Sequence, residues 1–222
     1  MFKHSLILAA GRGVRLKPFT EKKPKALLPI ENTTLINQSI QKINKYISNI
    51  HVTVGYKGNI LAKYLIGKKI ASIINTEDQD NSWWVFNSLL KYLNEPLLVL
   101  TCDNITKINY RTIFNEFKKY DKACMIVPVR PVEGLDGDYI FSKKNLITKL
   151  SRYEISNIYA SGIQVINPCK INKIVKQKKN NFNDLWKFLI KKKELALSKY
   201  KPKNWYTIDS LKNLKEFKKK LT

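Results

Sequence analysis

Short apolar runs alternate with segments of helical periodicity along the first 130 residues, and this alternation restricts the fold more than any other feature. Strands separated by helices favour right-handed βαβ connections and a mostly parallel sheet with helices on its faces. We therefore predict an α/β fold of this kind. The predicted strands span 5–10, 51–54, 70–75, 97–102 and 123–129, and the predicted helices span 35–47, 59–65, 83–93 and 111–119.

The pattern is less regular in the second half of the chain. Shorter strands are predicted at 139–141, 147–150 and 163–166, which indicates a small additional β layer. A closing helix is predicted from the apolar stripe of Leu211, Leu214, Phe217 and Leu221. Because no repeat, low-complexity tract or Pro/Gly/Ser linker interrupts the chain, we interpret 1–222 as a single domain.

The chain is strongly basic, with a formal net charge of +24. Only five of its 41 basic residues are arginine, whereas proteins that read base edges or grip phosphates with two hydrogen bonds favour arginine. The lysines are spread along the chain, and no helix-turn-helix, zinc finger or aromatic RNA-binding motif accompanies them. We therefore expect a solvated lysine surface that attracts anionic metabolites, and no specific nucleic-acid partner.

The lengths of the apolar runs and the spacing of the cysteines indicate the expected cellular location. The longest unbroken apolar runs are five residues, far below the ~20 that a membrane-spanning helix needs, so membrane insertion is not expected. No secretory leader is evident before Gly11. Cys102, Cys124 and Cys169 are scattered and form no CxxC pair, which argues against a disulfide framework or a zinc site. The expected location is the reducing cytoplasm.

The first predicted strand ends in a glycine-rich loop that suits phosphate binding. Gly11 and Gly13 allow backbone N–H groups to approach an anion, and Arg15 and Lys25 follow as two cations suited to a triphosphate. Leu16 stands where the third glycine of a dinucleotide fingerprint would be, and no P-loop motif occurs. A tight turn with solvated charges explains the two glycines equally well.

The spacing of the whole block is more specific, since residues 11–29 read G-x-G-x-R-L-x-P-x-T-x-x-x-P-K-x-L-x-P. This block resembles the signature of the nucleotidyltransferases that activate sugar phosphates and related phosphorylated metabolites. The resemblance implies a GT-A-like Rossmann-type fold in which this loop wraps the nucleotide. It also implies that Arg15 and Lys25 are catalytic and hold the phosphates and the transition state. The residues that it places at the nucleotide are Leu8, Ala10, Gly11, Arg12 and Gly13.

Two aspartates are candidates for a magnesium site. Asp103 directly follows the predicted strand 97–102, and a carboxylate at that end of a strand lies in the ligand crevice of an open α/β sheet. Taken alone, such an aspartate is more often a turn cap. The family resemblance implies that Asp103 binds Mg²⁺ with Asp209 as a second ligand, and Mg²⁺ prefers one or two carboxylates plus phosphate oxygens. Sugar-phosphate members carry W-x-D near this point, and Thr207 stands in place of that aspartate two residues after Trp205.

The middle of the chain bears on the choice of base and acceptor. Residues 80–89 read D-N-S-W-W-V-F-N-S-L, which departs from the Gly-rich segment of sugar enzymes. They resemble the Asn-rich, Ser-Leu-ending segments of cytidylyltransferases that act on phosphocholine or phosphonates. Asn81, Ser82 and Ser88 are therefore candidates for nucleotide binding, with Asn87 for a base or acceptor contact. Conversely, 161–168 resembles the G-I-x-x-x-x-P segment of sugar-phosphate members, which leaves the acceptor open.

The aromatic and histidine side chains have structural alternatives. Trp83, Trp84 and Phe86 are predicted either as helix core or as an aromatic wall for a base or a cationic head group. His4 and His51 belong to no acid–base constellation and are predicted to be structural.

These observations predict a group transfer that needs no protein nucleophile. A phosphate monoester is itself a nucleophile near neutral pH, because its second pKa is about 6. We predict transfer of CMP from CTP to a phosphorylated small molecule, such as phosphocholine, a phospho-amino acid or a phosphonate, with release of pyrophosphate. The product would feed surface polysaccharide or lipid decoration. The alternatives are a sugar-1-phosphate nucleotidyltransferase and a non-catalytic nucleotide- or nucleic-acid-binding module, and the oligomeric state stays open.

Overall fold

The computed structural model describes residues 1–132, 135 and 137–219. No helix formed by these residues is long and apolar enough to cross a membrane. In its first half, strands alternate with helices as the apolar pattern predicts. The elements are β1 (His4–Leu8), α1 (Phe19–Lys22), β2 (Pro29–Ile30), β3 (Thr33–Thr34), α2 (Leu35–Asn44), β4 (Asn49–Val54), α3 (Gly58–Leu65), β5 (Ser72–Asn75), α4 (Trp83–Asn87), β6 (Leu97–Thr101), β7 (Asn104–Lys107) and α5 (Tyr110–Tyr120).

The second half contains more regular structure than its sequence pattern predicts. The closing helix is present, and the predicted stripe residue Leu221 lies outside the described residues. The elements are β8 (Cys124–Val129), β9 (Tyr139–Lys143), β10 (Leu146–Ser151), β11 (Tyr159–Ile166), α6 (Pro168–Ile174), α7 (Phe182–Lys191), β12 (Leu195–Leu197), β13 (Lys203–Thr207) and α8 (Leu211–Lys219).

A nine-stranded sheet organises the described chain, in the order β5-β4-β1-β6-β11-β8-β12-β10-β9. Strands β5, β4, β1 and β6 are parallel to one another. Strand β11 is antiparallel to both β6 and β8, whereas β12 is parallel to β8, and β10 is antiparallel to β12 and β9. Of these nine strands, β10 and β11 therefore oppose the others, and the predicted mostly parallel α/β sheet is confirmed.

Additional β structure, also predicted, is present outside the parallel part of the sheet. Strands β9 and β10 form a hairpin that extends one edge of the main sheet. Strands β7 and β13 form a separate antiparallel pair, and β2 and β3 form another. The pair of β7 and β13 matters for function, because β7 directly follows Asp103 and β13 ends two residues before Asp209.

Apolar side chains fill both faces of the main sheet. Along β1 and β6, neighbouring residues belong to different hydrophobic clusters: Leu6 and Val99 to one, Ile7 and Leu98 to the other. Because successive side chains of a strand point to opposite faces, helices must cover both sides. Burying one such side chain contributes about 1.5–3 kcal/mol, which explains why these runs contain no polar alternation.

The predicted helix 83–93 is divided into two pieces. Helix α4 ends at Asn87, and a separate 3-10 turn spans Leu89–Tyr92. The Ser88 hydroxyl donates to the Trp84 carbonyl at 2.7 Å. Because serine offers the backbone an alternative hydrogen bond, it favours the end of a helix over its interior.

Candidate active site

The loop after β1 winds tightly around the segment that carries Lys25. Gly13 adopts a left-handed backbone, with φ 62° and ψ 41°. A Cβ on Gly13 would lie 2.9 Å from Lys25 Cβ and 3.1 Å from Thr20 Cγ2. The Thr20 hydroxyl donates to the Gly13 carbonyl at 2.9 Å. Only glycine fits both the conformation and the space, so the three residues form one packed unit.

Gly11 differs from Gly13, because nothing in the described fold fills the space beside it. A Cβ on Gly11 would have no atom within 4 Å. Its neighbour Ala10, by contrast, is closely packed. A Cβ on Gly55 would lie 2.9 Å from Ala10 Cβ, and the Tyr56 N–H donates to the Ala10 carbonyl at 3.1 Å. The backbone at Gly11 is therefore open to close approach by a ligand.

Lys25 and Asp103 form an ion pair at the carboxyl end of β6. Lys25 Nζ lies 2.5 Å from Asp103 Oδ2, and the two side chains are 12% and 18% exposed. The other carboxylate oxygen, Asp103 Oδ1, is buried without a hydrogen-bond partner among the described residues. A buried polar oxygen without a donor or cation is destabilising. A ligand that supplies either would stabilise this carboxylate.

Arg15 and Asp209 form a second ion pair across 194 positions of sequence. A guanidinium nitrogen of Arg15 lies 2.7 Å from Asp209 Oδ2, and the Asn213 amide donates to Asp209 Oδ1 at 2.5 Å. The Ile208 N–H donates to the Asp103 carbonyl at 3.0 Å. Asp209, the next residue, therefore lies near Asp103 in space. The fold thus brings together both predicted catalytic cations and both predicted magnesium ligands.

The two aspartates fit Mg²⁺ in their donor chemistry. Mg²⁺ prefers oxygen ligands and usually shares its shell between one or two carboxylates, phosphate oxygens and water. Asp103 Oδ1 is such an oxygen, whereas both oxygens of Asp209 already accept hydrogen bonds. In the part of the chain that the structure describes, no group of three or more His, Cys, Asp or Glu side chains is placed to hold a metal. The donor set therefore fits an ion shared with a phosphorylated ligand.

A cavity of about 480 Å³, called here the nucleotide cavity, opens at the carboxyl ends of β1, β4, β5 and β6. Its lining includes the predicted residues Leu8, Ala10, Gly11, Arg12, Lys25, Asn81 and Asp103, and also Trp84. Sequence reasoning missed the remaining lining residues, which are Thr53, Gly55, Tyr56, Thr76, Glu77, Asp78, Gln79, Thr101 and Cys102. Most of these follow β4 or β5, and a position at the carboxyl end of a parallel strand is the signal that points to them.

The nucleotide cavity is not basic like the rest of the chain. Arg12 and Lys25 line it together with three carboxylates, those of Glu77, Asp78 and Asp103. The Arg12 guanidinium also lies over the Tyr56 ring, 5.9 Å from its centre. The cavity thus offers cations to phosphate groups and acceptor oxygens to amino groups of a ligand.

Two of the predicted residues in segment 80–89, Asn81 and Ser82, make hydrogen bonds within the protein. Asn81 reaches the nucleotide cavity, but its Oδ1 already accepts from the Phe182 N–H at 2.8 Å. Ser82 is fully buried, and its hydroxyl donates to the Lys179 carbonyl at 2.6 Å. The structure therefore does not bring Ser82 to the cavity as predicted, because this side chain attaches the segment to the chain that precedes α7.

Ser88 and Asn87 lie on a different part of the surface. They line a groove of about 700 Å³ beside β5. The Ser88 hydroxyl donates to the Trp84 carbonyl, and the Asn87 amide donates to the Trp83 carbonyl at 2.8 Å. The turn at the end of α4 thus directs Ser88 and Asn87 to the groove and not to the nucleotide cavity. The Asn87 Oδ1 also accepts from Lys178 Nζ at 2.7 Å.

Trp84 and Phe86 belong to the core, as one of the two sequence interpretations has it. Trp84 is fully buried, and its ring meets the Phe182 ring edge-on at 6.5 Å.

Cys102 lines the nucleotide cavity, and burial raises the pKa of its thiol to about 12. A neutral thiol is a poor nucleophile, so the cysteine beside the cavity is a packing residue.

His4 and His51 form a stacked pair away from the nucleotide cavity. Their ring centres are 5.4 Å apart, and His4 Nδ1 lies 3.1 Å from His51 Nε2. His51 Nδ1 lies 2.7 Å from the Ser72 hydroxyl. Burial lowers the pKa of both rings, that of His51 to about 4, so both are neutral at pH 7. Their geometry agrees with the predicted structural role.

The fold and the site together define a class of protein. A mostly parallel sheet with a glycine loop, two cations and two carboxylates at one edge is typical of Rossmann-like proteins that bind phosphorylated ligands. The family model for nucleotidyl transferases matches residues 4–222, and the chain belongs to this nucleotidyl transferase family.

Two curated relatives illustrate the similarity within the family, and the second is named for a sugar phosphate. The bifunctional protein GlmU of Methanocaldococcus jannaschii is 25% identical over 198 residues, which are 86% of this chain and 48% of that protein. The UTP–glucose-1-phosphate uridylyltransferase AglF of Haloferax volcanii is 27% identical over 109 residues, which are 47% of this chain and 45% of that protein. The chain thus spans about half the length of these relatives or less.

Solved structures share the fold at low sequence identity. The CTP:phosphocholine cytidylyltransferase of Streptococcus pneumoniae superposes with a TM-score of 0.78 at 19% identity, over 100% of both chains. The inositol-1-phosphate CTP transferase of T. maritima superposes with a TM-score of 0.80 at 15% identity, over 99% of this chain and 94% of that one. These matches support the Rossmann-type architecture.

Proposed function

We propose that this chain transfers CMP from CTP to a phosphorylated small molecule and releases pyrophosphate, in the service of surface polysaccharide or lipid decoration. The observation that carries the proposal is the arrangement of Lys25 with Asp103, and of Arg15 with Asp209, beside the open backbone of Gly11. It supplies cations for a triphosphate, carboxylates for a phosphate-bound metal, and backbone N–H groups that an anion can approach.

The reaction is a single displacement at phosphorus. A phosphate oxygen of the acceptor forms a bond to the α-phosphorus of the nucleotide. The bond between that phosphorus and the bridging oxygen breaks, and pyrophosphate leaves with the electron pair. Negative charge on the phosphoryl oxygens is stabilised by Lys25 and Arg15. When bound at Asp103, Mg²⁺ supplies further neutralisation of the phosphate charge.

The two ion pairs prepare the site for its ligand. Each cation is held by a carboxylate in the structure, so neither Lys25 nor Asp103 is buried without a counter-charge. A triphosphate brings anionic oxygens that compete with Asp103 and Asp209 for these cations. Charge neutralisation and alignment then account for catalysis, with no covalent intermediate on the protein.

One observation favours CTP over UTP. The carboxylates of Glu77 and Asp78 line the nucleotide cavity, and a carboxylate can accept a hydrogen bond from the amino group of cytosine but not from the corresponding carbonyl of uracil.

A second candidate function is synthesis of a nucleotide sugar. It is favoured by the relatives named for this chemistry, including the Haloferax uridylyltransferase. A third candidate, of a different class, is a non-catalytic nucleotide- or nucleic-acid-binding module that uses the lysine-rich surface.

Pyrophosphate release in the presence of Mg²⁺ tests these functions. The four nucleoside triphosphates would be combined with sugar-1-phosphates, phosphocholine and phosphorylated amino acids, with Asp103→Ala as the blank. We expect release with CTP and a non-sugar acceptor. Release confined to UTP and a sugar-1-phosphate would select the second candidate. A salt-sensitive shift of DNA without any pyrophosphate release would select the third.

A further inference from the structure

Tyr56 lies two residues beyond β4 and lines the nucleotide cavity. It makes hydrogen bonds to both ends of residues 10–20, which we call the glycine loop. Its N–H donates to the Ala10 carbonyl at 3.1 Å, and its hydroxyl donates to the Thr20 carbonyl at 3.0 Å. One residue outside the sequence motif therefore spans the loop in which that motif begins.

The hydrogen bond at Thr20 leads to the turn that carries Arg15. Thr20 is buried, and its hydroxyl donates to the Gly13 carbonyl at 2.9 Å. The same carbonyl accepts from the Leu16 N–H at 2.9 Å. Arg15 belongs to the 3-10 turn that begins after Gly13. The Tyr56 hydroxyl is thus joined, through Thr20 and Gly13, to the backbone on both sides of Arg15.

The glycine loop has little regular structure to hold it in place. Its helical pieces are this 3-10 turn, of three residues, and the start of α1, which has four. Helical segments this short are not stable on their own, because their nucleation is costly. By contrast, Tyr56 follows β4, which is paired on both sides within the main sheet. The hydroxyl therefore attaches the loop to a strand of the main sheet.

The ring of Tyr56 contacts the loop at a third place. The Arg12 guanidinium carbon lies 5.9 Å from the ring centre, and Lys57 Nζ lies 5.2 Å from it. A cation at this distance over an aromatic face is attracted by the ring. Arg12 also lines the nucleotide cavity and directly follows Gly11, whose backbone is open to a ligand. The ring thus orients a cation beside the place where an anion can approach.

These contacts matter for catalysis because the loop carries charged groups that must meet phosphate oxygens. A displacement of about 1 Å in such a group can cost about 10²-fold in rate. Groups held by neighbouring side chains and a rigid scaffold keep the required geometry better than groups on a free loop. Tyr56 makes both kinds of contact, to the backbone around Arg15 and to the side chain of Arg12.

We propose that Tyr56 is a positioning residue of the nucleotide cavity. Its hydroxyl holds the glycine loop so that Arg15 meets the two outer phosphates of the nucleotide, and its ring holds Arg12 toward the same phosphates. Tyr56 acts through Thr20 and Arg12 rather than on the reacting atoms. The inference rests on the proposed function, because it requires a nucleoside triphosphate in this cavity.

The variant Tyr56→Phe tests the hydroxyl, with CTP and CMP as matched probes. Each nucleotide would be titrated calorimetrically into the full chain with Mg²⁺. We expect CTP to bind at least about fivefold more weakly, because one hydrogen bond that fixes the loop is lost. CMP lacks the two outer phosphates, so its affinity should change by less than about twofold. A purely structural role would weaken both nucleotides alike.

Two further variants bracket this result. Thr20→Val removes the next hydrogen bond of the chain, that to the Gly13 carbonyl, and should show the same selective loss of CTP affinity. Tyr200→Phe is the matched control, because its hydroxyl donates to the Lys107 carbonyl at 3.2 Å and Tyr200 does not line the nucleotide cavity. We expect Tyr200→Phe to leave both affinities within about twofold of the wild type, even where its melting temperature falls as much as that of Tyr56→Phe.

Double variants test the route of the effect. In an Arg15→Gln background, Tyr56→Phe should change CTP affinity by less than about twofold, because the cation that the hydroxyl positions is absent. Tyr56→Leu removes the ring as well, and it should bind CTP at least about twofold more weakly than Tyr56→Phe. In an Arg12→Gln background, that additional loss should vanish.

The outcomes separate this inference from the proposed function. Unchanged CTP affinity in Tyr56→Phe, equal losses for CTP and CMP, or an effect of the same size in the Arg15→Gln background would each overturn the inference alone. Selective, Tyr56-dependent CTP binding without pyrophosphate release for any acceptor would support the inference and overturn the proposed transfer. Absence of binding of all four nucleoside triphosphates to the wild-type chain would overturn both.

Discussion

Replacement of Lys25 separates the contributions of its ion pair to stability and to turnover. Lys25→Met removes the ammonium group but keeps most of the side-chain volume, and it leaves Asp103 without its partner at 2.5 Å. Removing one partner of a buried ion pair costs about 3–5 kcal/mol. Because the side chains of this pair keep 12% and 18% exposure, we expect the low end, about 3 kcal/mol of unfolding free energy.

The matched variants are Asp103→Asn and the double variant Lys25→Met/Asp103→Asn. The single Asp103 variant leaves Lys25 unpaired and should lose a similar amount of stability. The double variant removes both charges, so its unfolding free energy should return to within about 1 kcal/mol of the wild type. Turnover should fall by at least about 10²-fold in all three, because both groups act on the transferred phosphate.

Urea unfolding followed by tryptophan fluorescence measures the stability, and pyrophosphate release measures the turnover. A double variant as unstable as the sum of the two single variants would refute the assignment of the loss to an unpaired charge. A double variant that regains wild-type turnover along with its stability would refute the catalytic role.

Further predictions concern the loop, the second ion pair and the histidine pair. Gly13→Ala should cost about 2 kcal/mol in urea unfolding, since a left-handed residue other than glycine costs roughly 1–2 kcal/mol and its Cβ would contact Lys25. Gly11→Ala is its control: stability should change by less than about 1 kcal/mol, while nucleotide affinity falls, and the reverse pattern would contradict the loop geometry. Arg15→Gln should change stability by less than about 1 kcal/mol, because the Arg15 side chain is 60% exposed, yet pyrophosphate release should fall about 10²-fold. His51 has a pKa of about 4 in the folded protein and about 6.5 when unfolded, so its contribution to stability is complete above pH 6.5 and is lost as the pH falls through 4, by up to about 3 kcal/mol. A pH–stability profile equally steep in His51→Gln would show that other groups are responsible.

Regular local patterns made much of the first half predictable. The strand ending at Leu8 and the strand Leu97–Thr101 follow from apolar runs that are buried on both faces. Thr34 caps α2, and its hydroxyl accepts from the Asn37 N–H at 3.3 Å. The prediction of one continuous helix over 83–93 is wrong, because apolar periodicity carries no information about the hydrogen bond from the Ser88 hydroxyl to the Trp84 carbonyl, which favours a helix end.

The second half was harder to predict because its strands depend on distant partners. Strand β11 extends from Tyr159, earlier than its apolar run begins, since it is held by β6 on one side and β8 on the other. Helix α7 begins at Phe182 and is capped by Asn181, whose side chain accepts from the Asp184 N–H at 2.9 Å. This cap is a weak local signal in a stretch rich in lysine and asparagine. Pairing across long loops is decided by the whole sheet rather than by local propensity.

The candidate site also contains residues that the sequence predicts and residues that only the fold brings to it. Gly13 and Lys25 lie within one short block, which the family resemblance places as a whole at the nucleotide. That the two residues pack against each other is a finding of the structure. Ser82 and Ser88 were proposed from the resemblance of residues 80–89 to cytidylyltransferase segments. In the structure the Ser82 hydroxyl donates to the distant Lys179 carbonyl, and the Ser88 hydroxyl donates to the Trp84 carbonyl within the same turn. No sequence motif marks Glu77. It lines the nucleotide cavity because it follows β5, and β5 is parallel to β4, so both strands end at the same edge of the sheet.

The sequence by itself determined the glycine-rich loop, the cations Arg15 and Lys25, and the position of Asp103 at the end of a buried strand. These are local properties of glycine conformation, charge and strand patterning. Only the tertiary structure placed Asp209 against Arg15 and Asn213, and brought Tyr56, Glu77 and Asp103 to the same nucleotide cavity. The physical reason is that such contacts join residues far apart in the chain, and their geometry exists only when the strands of the sheet have been ordered.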